Sequence, residues 1–441
     1  MRQAGLVPDE PTWAAPTASG PVCATVTMPG SKSQTARLLV LSALADGASL
    51  LRRPLRSRDT LLMAAGLRAL GTGLEDSGED SWRVLPAPLR GPADIDVGLA
   101  GTVARFLPAV AALADGRVRL DGDPRMRERP MAPLLQALRD LGAVVEDGGR
   151  GLLPVTVRGT GSLPGGRVTV NASASSQLVS GLLLAGPRML AGIDLTHAGP
   201  PVPSAPHLAM TVHELRRRGA DIDDATPDRW RVAPGPLRGV DVDVEPDLSS
   251  ASAFLAAALA AGGEVTLAGW PAETAQPGGL LPGLLTAMGA EIHLTAAGLT
   301  VRGGPALHGL EADLSEYGEV VPTLAALAVL ADGPSRLRGV AHLRGQETDR
   351  LRALAEELGR LGARVRETDD GLEVDPVPLH GAELDPRGDH RLAMAYAVVA
   401  LAVPGVRVRD VATVGKTVPD FVERWTAMLA GRHPMSPPGD P

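Results

Sequence analysis

The chain has a single cysteine, Cys23, among 441 residues, so neither a disulfide framework nor a cysteine-built metal cluster is available. That cysteine reads as a small buried residue in a strand. Nine histidines are scattered with no His-x-x-x-His pair, which argues against zinc. His207 and His213 are not spaced as metal ligands on one helix face. Aromatic side chains make up only 2% of the sequence, and the formal net charge is -8. A base-stacking or phosphate-backbone surface for nucleic acid is therefore not expected. No apolar run reaches the roughly 18 residues of a membrane helix, and the N-terminus lacks the charged-then-apolar pattern of a signal peptide. The expectation is a cytoplasmic protein with no membrane partner.

Lysine is nearly missing too. Of the 43 basic residues, all but Lys32 and Lys416 are Arg. Most of these arginines read as solvated surface, Arg216 to Arg218 as a solvated helix end. The two lysines mark positions where a compact, titratable amine resists replacement by a guanidinium.

What is plentiful is small and apolar: 44% of residues are hydrophobic and 52 are Gly. They fall into a repeat. An apolar helix ending in Ala-Leu-Ala-Asp-Gly or a variant closes at Gly47, Gly116, Gly186, Gly263, Gly333 and Gly405, steps of roughly 70 residues. A second helix follows, ending in Leu-Gly-Ala or similar, then a stretch with strand period; the sixth copy is truncated near Trp425 to Gly431. Each repeat reads as helix, strand, helix, strand, strand. Six such units suit two α/β domains of three repeats each, with the very apolar first helices packed inside a shell of strands. The Pro-rich ends, 1–16 and 433–441, read as disordered tails.

A polar cluster sits at the start of each apolar helix: Ser31-Lys32-Ser33, Gly101-Thr102, Ser175-Ser176-Gln177, Ser249-Ser250, Glu319 and Asp389-His390-Arg391. Ser, Thr and Asp there are ordinary caps taken singly, and Ser249-Ser250 reads as a cap alone. The cations Lys32, Arg37, Arg125, Arg127, Arg129, Arg344, Arg350, Arg391 and Lys416 are not caps, because positive charge near a helix N-terminus opposes the dipole. An anionic ligand would offset that cost. Three parallel helices per domain would gather their N-termini on one side, and two such sides facing each other would make a cleft favouring phosphate and carboxylate groups.

The strings Pro29-Gly30-Ser31-Lys32-Ser33 with Arg37, Ala100-Gly101-Thr102 with Arg105, Asp123-Pro124-Arg125-Met126 through Arg129-Pro130, Ser175-Ser176-Gln177, Glu347-Thr348-Asp349-Arg350, Asp389-His390-Arg391, and Lys416-Thr417 with Pro419-Asp420 resemble, in order and spacing, the 3-phosphoshikimate 1-carboxyvinyltransferase (EPSP synthase) family of enolpyruvyl transferases. The resemblance implies two inside-out α/β domains, one over 31–244 on the shikimate 3-phosphate side. The other combines 17–30 with 245–432 on the phosphoenolpyruvate side. It implies a monomer without cofactor or metal that moves the enolpyruvyl group of phosphoenolpyruvate to the 5-hydroxyl of shikimate 3-phosphate, on the route to chorismate and the aromatic amino acids. It assigns shikimate 3-phosphate to Lys32, Ser33, Arg37, Ser175, Ser176, Gln177, Ser204, Glu319 and His342. Phosphoenolpyruvate falls to Lys32, Gly101, Arg125, Gln177, Arg350, Arg391 and Lys416. Glu319 is implied as the base, and Lys32 and Glu347 as carriers of protons at the enolpyruvyl carbons.

The chain departs from the common family pattern at Glu319 for Asp, His342 for Asn, Gln346 for Lys, Leu99 for Asn and Phe106 for Pro. Glyphosate sensitivity is expected because Gly101 is kept. Two alternatives stand beside this reading. One is enolpyruvyl transfer to UDP-N-acetylglucosamine, whose family usually carries a reactive Cys in the region matching Asp121 to Arg129, where this chain has none. The other is a non-catalytic repeat scaffold, which leaves Lys32, Glu319, Glu347 and Lys416 without a shared purpose.

Overall fold

In the computed structural model, residues 11–78 and 80–431 are described. The expected tail 433–441 and residues 1–10 lie outside them. Contacts divide the chain into two compact units. The N-terminal unit is Pro29–Asp247 with Glu273–Pro277, and the C-terminal unit is Met1–Met28, Leu248–Ala272 and Gly278–Pro441.

The junctions differ by a few residues from the expected 31 and 244, for reasons visible in the bonds. Ser31 N–H donates to Glu245 O at 2.7 Å and Asp247 N–H to Pro29 O at 2.9 Å. These hold Pro29–Gly30 and Glu245–Asp247 in the N-terminal unit. Thr274 and Gln276 follow, because their side chains donate to Glu245 Oε2 at 2.6 and 2.8 Å.

Each unit is three repeats. In the N-terminal unit the apolar helices are Lys32–Ala43, Gly101–Ala112 and Gln177–Ala185; in the C-terminal unit they are Leu248–Ala260, Val321–Ala328 and His390–Ala402. Each starts beside one of the polar clusters read from the sequence. Apart from polar residues near their starts, these helices present small, aliphatic and a few aromatic residues on all sides and are buried along most of their length. Gly181 shows the reason for small residues. A Cβ there would meet Arg105 O at 2.2 Å, so only glycine lets the third helix approach the second this closely.

A small sheet accompanies each helix pair. In the N-terminal unit the second sheet runs Ala93–Asp96, Asp115–Asp121, Val155–Thr160, Val144–Glu146, with the first pair parallel and the rest antiparallel. The same order recurs, and the first strands cross over in sequence. Val242–Asp243 pairs in parallel with Ser49–Arg52, while Val22–Val26 pairs in parallel with Gly263–Ala268.

Among the described residues the sixth sheet has no hairpin of its own, in keeping with a truncated copy. Thr12–Ala14 takes the vacant place, antiparallel to Arg407–Arg409. The segment 11–16 is therefore ordered, contrary to the expected tail. Trp13 packs edge-on against Phe421 at 6.0 Å, Ala15 is buried, and Ala15 N–H donates to Val406 O. Two further expectations are corrected. Cys23 lies in a strand but is exposed, because Val22 and Val26 supply the inward faces. Arg218 is fully buried, donating to Ser42 Oγ, Ser49 Oγ and Arg238 O; Arg216 and Arg217 alone form the solvated helix end.

Candidate active site

The C-terminal unit brings its three helix starts together, and the N-terminal unit brings the start of its second helix against that of its third. In the N-terminal unit Gly101 opens its helix with three polar groups around it. A Cβ on Gly101 would meet Arg105 Nη1, Arg129 Nη1 and Gln177 Oε1, each at 3.3 Å. Any side chain would press on all three at once. Gln177 opens the third helix, and its N–H donates to Ser175 Oγ at 3.3 Å. Ser176 beside it is buried. Lys32 opens the first helix, half-exposed, with its N–H on Asp247 Oδ2 at 3.1 Å. Ser31 caps the same helix, accepting from Gln34 N–H.

The guanidinium expected at this point was that of Arg125. The structure instead brings Arg129 to Gly101 and Gln177 and leaves Arg125 exposed on the short helix Pro124–Arg127. Arg125, Arg127 and Arg129 alternate along one string, and only the fold tells which of them turns inward.

Arg37 was expected to meet substrate directly, yet it is 1% exposed. Its guanidinium donates to Thr211 Oγ1 at 2.8 Å, His207 O at 2.9 Å, Ser33 O at 3.0 Å and Ser180 Oγ at 3.3 Å. It also lies over the Phe106 ring at 5.4 Å, which gives the departure at position 106 a local purpose. Burial among these neutral acceptors lowers its pKa to about 10, with Glu214 pulling the other way. Ser204 sits before His207 with φ 55, in the left-handed region that non-glycine residues seldom adopt.

The C-terminal unit assembles a cluster of alternating charge. Asp389 caps the helix His390–Ala402, accepting from Arg391 N–H at 2.8 Å, and takes Arg350 Nε at 2.8 Å. Arg350 also donates to Glu347 Oε2 at 3.1 Å, and Glu347 Oε1 accepts from Lys416 Nζ. Arg391 pairs with Glu319 at 2.7 Å and donates to Ser250 Oγ at 3.1 Å. Ser249-Ser250 is thus more than a cap. Burial works against the charge on Arg350, but Asp389, Glu347 and Glu319 outweigh it and raise its pKa. His342 Nε2 would lie 2.6 Å from a Cβ on Gly318; burial, then Arg350, push its pKa down, with Glu319 opposing.

Lys416, Arg350, Arg391, Glu347, Glu319 and His342 are thus gathered in one unit, and Gly101, Gln177 and Arg129 in the other. All of these are site residues in the family resemblance except Arg129, which the sequence marks only as one of the helix-start cations. Thr211 and Ser180 carry no signal of their own in the sequence, and Asp389 and Ser250 stand out only as helix-start groups, without their pairing to Arg350 and Arg391.

Solved structures share this architecture. The chain superposes on EPSP synthase from Acinetobacter baumannii with TM-score 0.80, at 24% identity, covering 95% of this chain and 98% of that one. It superposes on the enolpyruvyl transferase NikO from Streptomyces tendae with TM-score 0.76, at 22% identity over 96% and 98%. At that identity the likeness speaks to fold.

The family model described as EPSP synthase (3-phosphoshikimate 1-carboxyvinyltransferase) matches residues 16–425. Two relatives, both named 3-phosphoshikimate 1-carboxyvinyltransferase, come from Kocuria rhizophila and Mycobacterium ulcerans. They are 51% and 49% identical over 428 residues, covering 95% of this chain and 96% and 98% of theirs. The chain belongs to the EPSP synthase family.

Proposed function

We infer that this chain transfers the enolpyruvyl group of phosphoenolpyruvate to the 5-hydroxyl of shikimate 3-phosphate and releases phosphate, in aromatic amino acid biosynthesis. The observation that carries the reading is the cluster in the C-terminal unit, where three cations alternate with three carboxylates. The chemistry calls for such a set. A hydroxyl adds across the enol double bond only if a proton reaches the methylene carbon and another leaves the hydroxyl. Expulsion of phosphate then restores the double bond as the new methyl carbon gives a proton back.

Glu319 is the base for the hydroxyl, and Lys32 and Glu347 carry the carbon-bound proton in and out. Unperturbed Lys and Glu lie about three units either side of neutrality, so substrate charge and neighbouring groups must bring them closer. Lys416, Arg350 and Arg391 hold the carboxylate and phosphate of phosphoenolpyruvate, and Gly101 leaves room for that small substrate. Arg129 takes the part first given to Arg125. Ser175, Ser176, Gln177, Ser204, Ser33 and Lys32 serve shikimate 3-phosphate, with His342 beside Glu319.

Arg37 acts at one remove by fixing Ser33 O and the turn at His207. Glu347 pairs with Lys416 and Glu319 with Arg391. An incoming anion takes over those cations and frees the two carboxylates for proton transfer.

The setting implied is the cytoplasm, as a monomer; among the described residues no helix is long and apolar enough to cross a membrane. Phosphate release measured with phosphoenolpyruvate and each acceptor in turn tests the reading. Release with shikimate 3-phosphate is expected. Release with UDP-N-acetylglucosamine alone would overturn the assignment, and release with neither would favour a scaffold. Glyphosate is expected to compete with phosphoenolpyruvate, and undiminished turnover at millimolar glyphosate with limiting phosphoenolpyruvate would contradict that.

A further inference from the structure

Two loops of the N-terminal unit, each following one strand of a parallel pair, lead to Gly101 and to Arg129. Asp96 and Asp121 are register partners at the ends of those strands, Ala93–Asp96 and Asp115–Asp121. Side-by-side carboxylates repel unless cations intervene. Here each also works on its own loop. Asp96 Oδ1 accepts from Gly98 N–H at 2.8 Å, and Asp121 Oδ1 accepts from Gly122 N–H at 2.9 Å.

The loops are also stitched together. Val97 N–H donates to Asp121 O and Asp123 N–H to Gly98 O. Gly122 must be glycine for this, since a Cβ would lie 2.6 Å from Gly98 O.

Pro130 lies eight residues after Gly122, past the short helix Pro124–Arg127 and ahead of the helix Ala132–Asp140, and the anchor of this stretch is a two-pronged ion pair. Arg127 Nε meets Asp121 Oδ1 at 2.8 Å and Arg127 Nη2 meets Oδ2 at 2.9 Å; Arg119 Nη2 adds a third bond to Oδ2 at 2.7 Å. Such forked pairing fixes direction as well as distance. Partial burial pushes the Asp121 carboxyl up, but Arg127 and the Gly122 N–H prevail and hold it below its ordinary range. On the same segment Met126 is fully buried. Arg127 is thus pulled back onto the strand end while Arg129, two residues on, reaches Gly101.

We propose that the Asp121–Arg127 pair is a positioning clamp for phosphoenolpyruvate, holding the 122–130 loop so that Arg129 stands beside Gly101 and Gln177. This rests on the reading of Arg129 as a phosphoenolpyruvate contact. The clamp touches no substrate itself. Its loss lets Arg129 drift, and misplacement of about 1 Å can cost on the order of a hundredfold in rate.

The test is Arg127→Gln, chosen because the Arg127 side chain is 49% exposed and its removal leaves the core intact. KM for phosphoenolpyruvate should rise roughly tenfold or more, while KM for shikimate 3-phosphate and the unfolding midpoint stay within error of wild type. Asp121→Asn should raise the same KM, with some loss in the midpoint because Arg119 loses its partner too, and the double variant should raise that KM no further than Asp121→Asn alone, because both changes break the one Asp121–Arg127 contact. Equal rises in both KM values, a lowered midpoint with KM unchanged, or multiplying effects in the double variant would overturn the clamp. Wild-type turnover run alongside tests the underlying reading separately, since a wild type inactive with both substrates would overturn that reading and the clamp with it.

Discussion

Arg37 and Arg350 are buried to the same degree, one in each unit, and their surroundings push them in opposite directions. Arg37 rests on a hydroxyl pair, two carbonyls and an aromatic face, and its pKa falls to about 10. Arg350 rests on Asp389 and Glu347, and its pKa rises. The N-terminal cation is held as a shape within a frame of neutral acceptors. The C-terminal one belongs to a matched set of charges that an anionic substrate can re-pair. One residue type therefore serves framing in one unit and substrate charge in the other, and the partners decide which.

The largest effect that could break this contrast comes from Asp389→Asn. It strips Arg350 of its buried counter-ion, so a loss of about 3–5 kcal/mol in stability to denaturant is expected. Thr211→Val removes a neutral acceptor from Arg37 without changing shape, and should cost less, roughly 1.5–3 kcal/mol. Equal costs would mean that ionic and neutral pairing are not distinct here. Gly101→Ala places a methyl group 3.3 Å from three polar groups, and KM for phosphoenolpyruvate should rise by about tenfold, roughly 1.4 kcal/mol. An unchanged KM would remove Gly101 from the site.

The smallest effect concerns His342. Its pKa is lowered below the ordinary 6.5, so the unfolded chain binds the proton more readily and stability falls as pH drops below that value. His342→Gln should flatten that slope, and a slope that persists would assign it to other groups.

The six helix starts were legible because each pairs an apolar run with a polar or glycine-bearing opening, a pattern that survives without tertiary context. The cluster of Glu347, Arg350, Arg391 and Lys416 was legible because each sits in a string with its own spacing. Arg129 was not, because Arg125, Arg127 and Arg129 have the same chemistry and only the Asp121 pairing aims them apart. Arg218 hid in a run of three arginines, and its burial depends on Ser42 and Ser49, about 170 residues earlier in the chain. Thr12–Ala14 hid in a Pro-rich end, since a three-residue edge strand has too few side chains to show a period. In each case the missing information was a distant partner.

The scarcity of lysine bears on the chemistry most directly, because Lys32 stands at the first helix start where an arginine could bind an oxygen but would hardly release a proton. Turnover of Lys32→Arg with both substrates saturating isolates that step from binding. A fall in kcat of roughly a hundredfold to ten-thousandfold is expected if the amine carries a proton, and turnover near that of the wild type would contradict it.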